Sequence, residues 1–373
     1  MRFLTRVSIR NYKSIESCDV ELGDLTFLVG PNGSGKSNFL DALAFVSDAL
    51  RKTLREAVRD RGGPMDVFRR QSLPDTMSIR LDFALPDVGM GFYRVVLVGG
   101  PRQVGVLEEQ CVIGSDEFHL IQGWHAGERS GPGPGSTAGL HLMFASGELV
   151  FKPVYDALAE MSFHNLAPDA MRIPHPPDAG DRLRRDAANA GSVIERLAID
   201  DKPRLERIVQ YLSAVVPGIT DIATGPGGVP RFHHGEWFDA NAMSDGTLRV
   251  LGILLALFNR GTESPLVAIE EPEIALHPGA SEVLLDALRE ASEKKQLIVT
   301  THSPDLLDLV NLDSETVLAV ANSGHGSVIA PINRVNRDIL REGLYSLGEL
   351  LRDEQLKPDP TVTTSALSDL ELP

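Results

Sequence analysis

The 373 residues contain two cysteines, Cys18 and Cys111, far apart in the chain and neither in a CxxC pair. That excludes a disulfide framework or a thiolate zinc site and predicts reduced thiols. No run of about 18 apolar residues occurs, so no membrane-spanning helix is expected, and Met1–Arg6 has no signal-peptide core. Positive charge is scarce too: 36 Lys and Arg against 52 Asp and Glu give a formal net charge of −16. Such a surface does not attract DNA or anionic membrane as a whole, although a local basic patch still could. No heptad segment is long enough for coiled-coil arms, and no internal repeat is visible. A cytoplasmic protein, with no membrane partner, is the expectation. With 42% hydrophobic residues there is ample material for a core.

One stretch organises the rest. Gly30-Pro31-Asn32-Gly33-Ser34-Gly35-Lys36-Ser37 fits G-x-x-x-x-G-K-[S/T] at every fixed position. The apolar run Leu25–Val29 before it has the pattern of a buried strand, and Asn38–Leu54 after it carries apolar residues at helical spacing. A strand, a glycine loop and a helix N-terminus in sequence aim backbone N–H groups at one spot, which suits a polyphosphate. Lys36 would reach the β- and γ-phosphates of ATP, and the Ser37 hydroxyl would ligate Mg²⁺. A turn that binds nothing is the bland alternative, and the lysine, the serine and both flanks speak against it.

Around the loop the chain divides by pattern. Residues 1–76 hold two strands, the loop strand, the loop and its helix. Residues 77–150 alternate as short strands of an antiparallel β subdomain. Residues 127–139, rich in glycine with Pro132 and Pro134, read as a mobile loop. Residues 151–240 are a mostly helical lobe broken at Ile173–Pro177. Residues 241–335 hold Met243-Ser244-Asp245-Gly246-Thr247 before an apolar helix, then Leu266–Ile269 running into Glu270-Glu271-Pro272-Glu273, then a strand ending at Thr301-His302-Ser303-Pro304. Residues 336–373 are a charged helix near 337–352 and a polar tail. The fold class is α/β: a mostly parallel core sheet of the P-loop NTPase type.

Asn11-Tyr12-Lys13-Ser14 and the run Gly30–Asn38, "GPNGSGKSN", resemble the opening of RecF, SMC and OLD-type ATPase heads of the ABC superfamily. The resemblance spans roughly residues 1–330. It implies an antiparallel β subdomain and a helical lobe around the core sheet, and ATP and Mg²⁺ as ligands. It places residues Gly30–Asn38 on the nucleotide, Glu270 in the metal shell with Ser37 (where Asp is more usual), Glu271 as general base, and His302 as the switch histidine on the γ-phosphate. Ser244-Asp245-Gly246-Thr247 resembles the L-S-G-G-Q signature, with Ser244 and the Gly246 N–H contacting nucleotide in a second protomer. It departs from that form at Met243, Asp245 and Thr247, and an ordinary serine N-cap is the plain alternative. The family also has a glutamine that senses Mg²⁺ and water, yet no glutamine lies between Gln122 and Gln210. His164, Asn165, Gln71 or Gln110 are the open substitutes.

The implied activity is an ATP hydrolase that closes into a homodimer around ATP. It would act as a switch on DNA or on a separately encoded effector, a form frequent in bacterial antiviral systems. Neither SMC-type arms nor a Toprim nuclease half is expected from these residues. A RecF-like repair protein is the alternative, resting on Arg51, Lys52, Arg55, Arg59 and Arg61, although a solvated helix face balanced by Glu56 and Asp60 is the favoured reading of that stretch. An ATP-binding scaffold with negligible hydrolysis is the third. His233 and His234 face opposite sides of a strand and cannot chelate together. Trp237 and Phe238 are expected to pack in the core or near adenine.

Overall fold

The structure, a computed structural model, describes residues 2–69, 76–86, 88–100, 103–121, 140, 142, 150–176, 178–259, 264–324 and 326–361. The stretch 127–139, Gln71, Gln122 and the tail beyond 361 lie outside the described residues.

The buried runs and the alternating runs sort the strands before any pairing is considered. β1 (Leu4–Tyr12), β2 (Ile15–Glu21), β4 (Thr76–Leu85), β5 (Gly89–Gly100), β6 (Gln103–Ile113) and β7 (Asp116–Ile121) form an antiparallel wing. β3 (Leu25–Val29), β8 (Ser162–His164), β12 (Leu266–Glu270), β13 (Gln296–Thr301) and β14 (Thr316–Asn322) pair in parallel. β3 and β13 are buried at every position, and such strands need cover on both faces. β15 (Ser327–Pro331) returns antiparallel to β14 and touches β2, joining the two regions. The result, among the described residues, is one twelve-stranded sheet ordered β7-β6-β5-β4-β1-β2-β15-β14-β3-β13-β12-β8. The antiparallel strands therefore extend the core sheet. A small second sheet comprises β9 (Asp221–Thr224), β10 (Pro230–His234) and β11 (Glu236–Asp239).

The period-2 rule divides the core in two. Leu28, Ala268, Ile298, Leu318 and Val320 face the cluster containing Phe39, Leu43, Val46 and Leu50 of the helix Lys36–Arg51. Their neighbours Phe27, Val29, Val267, Ile269, Val299 and Ala319 face the helices Asp245–Phe258 and Ser281–Ser292. Gln296, fully buried, closes the gap between β13 and the chain's start. It accepts from the Leu4 N–H (2.8 Å) and donates to the Leu4 and Gly23 carbonyls (2.7 and 2.8 Å).

Local chemistry moves some predicted boundaries. The helix expected over 38–54 begins at Lys36 and stops at Arg51, because Thr53 caps a new helix, Leu54–Arg59, by accepting from the Glu56 N–H at 3.1 Å. Arg61 then folds back and donates to Asp41 (2.9 Å) and Asp48 (3.0 Å). The helix expected near 337–352 is two, Arg334–Arg341 and Leu347–Arg352. Between them Gly343 has φ 66° and Ser346 with Glu349 forms a capping box.

Candidate active site at the phosphate loop

β3 delivers the loop Gly30–Ser37 to the C-terminal end of the parallel strands, where Gly33 (φ 76°) and Gly35 (φ 111°) take left-handed backbone. A Cβ on Gly30 would overlap the Val320 carbonyl, and one on Gly35 would overlap Ser327. The loop is thus wedged against β14 and β15. Lys36 is buried and donates to the Gly30 (2.7 Å) and Pro31 (3.1 Å) carbonyls. Burial lowers its pKa from the ordinary lysine value, and the nearby Glu271 carboxylate opposes that shift. The Ser34 hydroxyl is buried without a hydrogen-bond partner. Asn38 donates to the Ser14 hydroxyl (2.6 Å), which shares a hydrogen bond with Ser327 (2.6 Å). That ties the loop to the Asn11–Ser14 turn, whose Asn11 (φ 54°) and Lys13 (φ 48°) are also left-handed. A cleft of about 520 Å³ opens beside Asn38, bounded by Lys13, Ser14, Arg61, Phe68 and Arg69.

Facing the loop is a ledge of carboxylates. Glu270 ends β12, and its two oxygens accept from the Ser37 hydroxyl (2.8 Å) and the Arg185 guanidinium (2.9 Å). Glu271 follows with φ 44°, a costly conformation for a side-chain-bearing residue. Its N–H is held by the Thr300 carbonyl (3.0 Å) and hydroxyl (3.1 Å), and Arg249 donates to its carbonyl at 3.3 Å. This turn puts the Glu271 Oε1 3.6 Å from the Lys36 Nζ and 3.4 Å from the His302 Nδ1. Glu273 accepts from the Thr301 hydroxyl (2.6 Å) and the His302 N–H (3.0 Å), fixing the turn that carries the histidine. Glu273 Oε2 and His302 Nδ1 are buried polar atoms with no hydrogen bond. Lys36, Ser37, Glu270, Glu271 and His302 are thereby brought together.

Ser244 and Gly246 are placed elsewhere. Ser244 is the N-cap of the helix Asp245–Phe258 and accepts from the Thr247 N–H at 3.2 Å, so the plain capping role is present in this chain. Gly246 lies against the Ala275 carbonyl, where a Cβ would not fit. Arg172 donates to Asp245 (2.6 Å) and to the Met243 carbonyl (2.9 Å) and fixes the same end. Of the open substitutes for the glutamine, Gln110 lies on β6 bonded to Glu117 at 2.7 Å, far out on the wing. His164 is buried opposite Ile269, and Asn165, exposed, follows it off β8 with its N–H on the Arg185 carbonyl (2.9 Å).

Other expectations come out differently. Trp237 is exposed on β11 rather than in the core, edge-on to His233 (5.2 Å between ring centroids) with Arg231 over its ring. In the basic stretch, Lys52 pairs with Asp60 (2.9 Å), Arg59 lies 3.7 Å from Asp60, and Arg61 is consumed by Asp41 and Asp48. Among the described residues no cluster of three or more His, Cys, Asp or Glu could hold a metal. Ser37 and Glu270, whose side-chain oxygens lie 2.8 Å apart, carry hard oxygen donors of the kind that Mg²⁺ takes alongside substrate phosphates. Sequence reasoning passed over Glu273, Arg249 and Arg185 as site residues. Only Glu273 carried a signal, three positions beyond Glu270 in the same acidic run.

A phosphate loop on a buried parallel strand, a carboxylate-ended strand one place beyond its neighbour, and an antiparallel wing on the same sheet define a P-loop ATPase of the ABC type. Comparison with known proteins refines this. A family profile described as "AAA ATPase domain" matches residues 3–169, and one described as "AAA domain, putative AbiEii toxin, Type IV TA system" matches residues 165–308. The hemin import ATP-binding protein HmuV of Streptomyces coelicolor is 37% identical over 103 residues, 26% of this chain and 36% of that one. The OLD nuclease of Thermus scotoductus is 40% identical over 52 residues, 14% of this chain and 10% of that one. RecF of Magnetococcus marinus is 30% identical over 127 residues, 32% of each chain. The matches thus span about a third or less of these relatives' lengths. A crystal structure of an SMC head bound to the C-terminal winged-helix domain of ScpA aligns with a TM-score of 0.60 at 12% identity. It covers 90% of this chain and 99% of that one, a likeness of fold. Together the two profiles span residues 3–308, and with the site and the fold they support an ABC-superfamily ATPase of the RecF, SMC and OLD type.

Proposed function

We propose that the protein hydrolyses ATP with Mg²⁺ and that ATP closes two copies into a dimer, making the chain a nucleotide-driven switch. The observation that carries this is the Glu271 carboxylate, held by a strained backbone between Lys36 and His302 and facing the phosphate loop. A triphosphate entering the loop would draw the Lys36 ammonium from the Gly30 and Pro31 carbonyls to its β- and γ-oxygens. Bound Mg²⁺, held by Ser37 with Glu270 behind it, would neutralise charge on the phosphates. Glu271 accepts a proton from the attacking water, and His302 donates to the γ-phosphate. His302 is oriented through its backbone by Glu273. The Asn11–Ser14 turn and the adjoining cleft accommodate the nucleoside end.

The signature segment belongs to the same reading. Ser244 and Gly246 open a helix whose N-terminus suits an anion, and their own phosphate loop does not use them. Nucleotide on a second protomer is the partner that employs them. The toxin-system description of one matching profile, and the separate ScpA chain on the SMC head, support a separately encoded effector. DNA is the less supported target, since three of the five residues in the basic stretch are already paired with acids.

Glu271→Gln tests the reading, because the amide keeps size and polarity but accepts no proton. Solution mass is expected to shift from monomer to dimer on adding ATP and Mg²⁺, with turnover reduced about a hundredfold or more. A mass indifferent to nucleotide would overturn the ATP-closed dimer. Undiminished turnover would overturn the role given to Glu271.

A further inference from the structure

Arg185 belongs to none of the motifs, yet it touches the carboxylate on which the cation reading depends. Glu270 receives Ser37 on one oxygen and the Arg185 guanidinium on the other, so the Ser37–Glu270 pair is already satisfied by a cation of the protein's own. Glu270 is nearly buried while Arg185 is half exposed, so the guanidinium approaches from the solvent side.

The backbone around Arg185 is built to hold that position. The Asn165 N–H donates to the Arg185 carbonyl (2.9 Å), and the Ala167 N–H donates to that of Asp186 (3.2 Å). The segment leaving β8 is therefore clipped to residues 185 and 186. Asn189 ties the other side, accepting from the Arg184 N–H (2.8 Å) and donating to the Arg182 carbonyl (2.9 Å), and Ala187 turns with φ 61°. From this loop the chain enters the helix Ala190–Asp200, which packs in one core cluster with the helix opened by Ser244. Arg185 thus joins the metal carboxylate to the lobe bearing the signature segment. Arg51, Arg182 and Arg184 line the cleft beside it together with Asp48.

Building on the function proposed above, we propose that Arg185 is a charge gate on the metal position. Without nucleotide, its ion pair competes with a divalent cation for Glu270. When a triphosphate brings its own negative charge, the guanidinium turns from Glu270 to a phosphate oxygen, which frees the carboxylate and pulls the 182–189 loop toward the nucleotide. Arg185 then touches the nucleotide itself, from the interval between Gln122 and Gln210 that holds no glutamine.

The test is binding of a fluorescent, non-hydrolysable ATP analogue, titrated with MgCl₂, for wild type, Arg185→Ala, Arg185→Gln and Arg185→Lys. Loss of the competing cation is expected to lower the half-saturating Mg²⁺ concentration about three- to tenfold in the Ala and Gln variants. Turnover is expected to fall about tenfold or more in both, and Lys is expected to restore part of each effect. An unchanged or increased Mg²⁺ requirement in a variant whose melting curve matches wild type would overturn the gate. Two neutral replacements at a half-exposed site guard against one failing to fold. Failure of the function reading is separable: wild type itself would then not bind the analogue.

Discussion

Gly35 and Gly33 both lie in left-handed backbone two residues apart, but only Gly35 is also crowded, by Ser327. Gly35→Ala is expected to cost about 1–3 kcal/mol and to weaken nucleotide binding at least about tenfold, since the loop must shift to admit the methyl group. Gly33→Ala meets open space and should cost only the backbone term, about 1–2 kcal/mol. Melting curves and analogue titrations on the two variants check the contrast. His164 offers a pH test. Burial pushes its pKa from 6.5 to about 4, against a hydrogen bond to the Arg184 backbone. The unfolded chain takes up this proton as pH falls below about 6.5 and the folded one does not. Stability is therefore full above that pH and declines toward pH 4, by up to about 3 kcal/mol from this residue. Urea midpoints in that window should show a shallower pH slope in His164→Leu. The site residues readable from sequence were those with fixed spacing and chemistry: the loop, the Glu270-Glu271 pair and His302. Arg185, Arg249 and Glu273 were not, because each acts where segments distant in the chain meet and no local pattern marks such a meeting.

At the scale of elements the same division holds. β3, β12 and β13 are continuous apolar runs and were visible as such, while β8 is only three residues long and β15 becomes a strand through its pairing with β14. The break after Arg51 depended on Thr53 capping one helix and Arg61 reaching back to another. Gln296 is a polar residue at the start of an apolar strand, and its partners lie near the opposite end of the chain. Gln296→Leu would leave the Leu4 N–H and the Leu4 and Gly23 carbonyls short of a partner in a dry interior. A loss of about 2–4 kcal/mol in chemical denaturation is expected, with β1 detaching first and losing hydrogen-exchange protection at its N-terminal end.

Across the whole molecule, the order of strands in space departs from their order in sequence. The phosphate-loop strand, made among the first thirty residues, has β13 on one side and β14 on the other, both from beyond residue 295. Gly30 rests on Val320 and Gly35 on Ser327. During synthesis the loop strand must therefore wait, unpaired on both edges, until most of the chain has left the ribosome. The nucleotide site cannot be assembled by a nascent fragment, so a chain arrested short of β14 carries a complete binding motif and no place to close it.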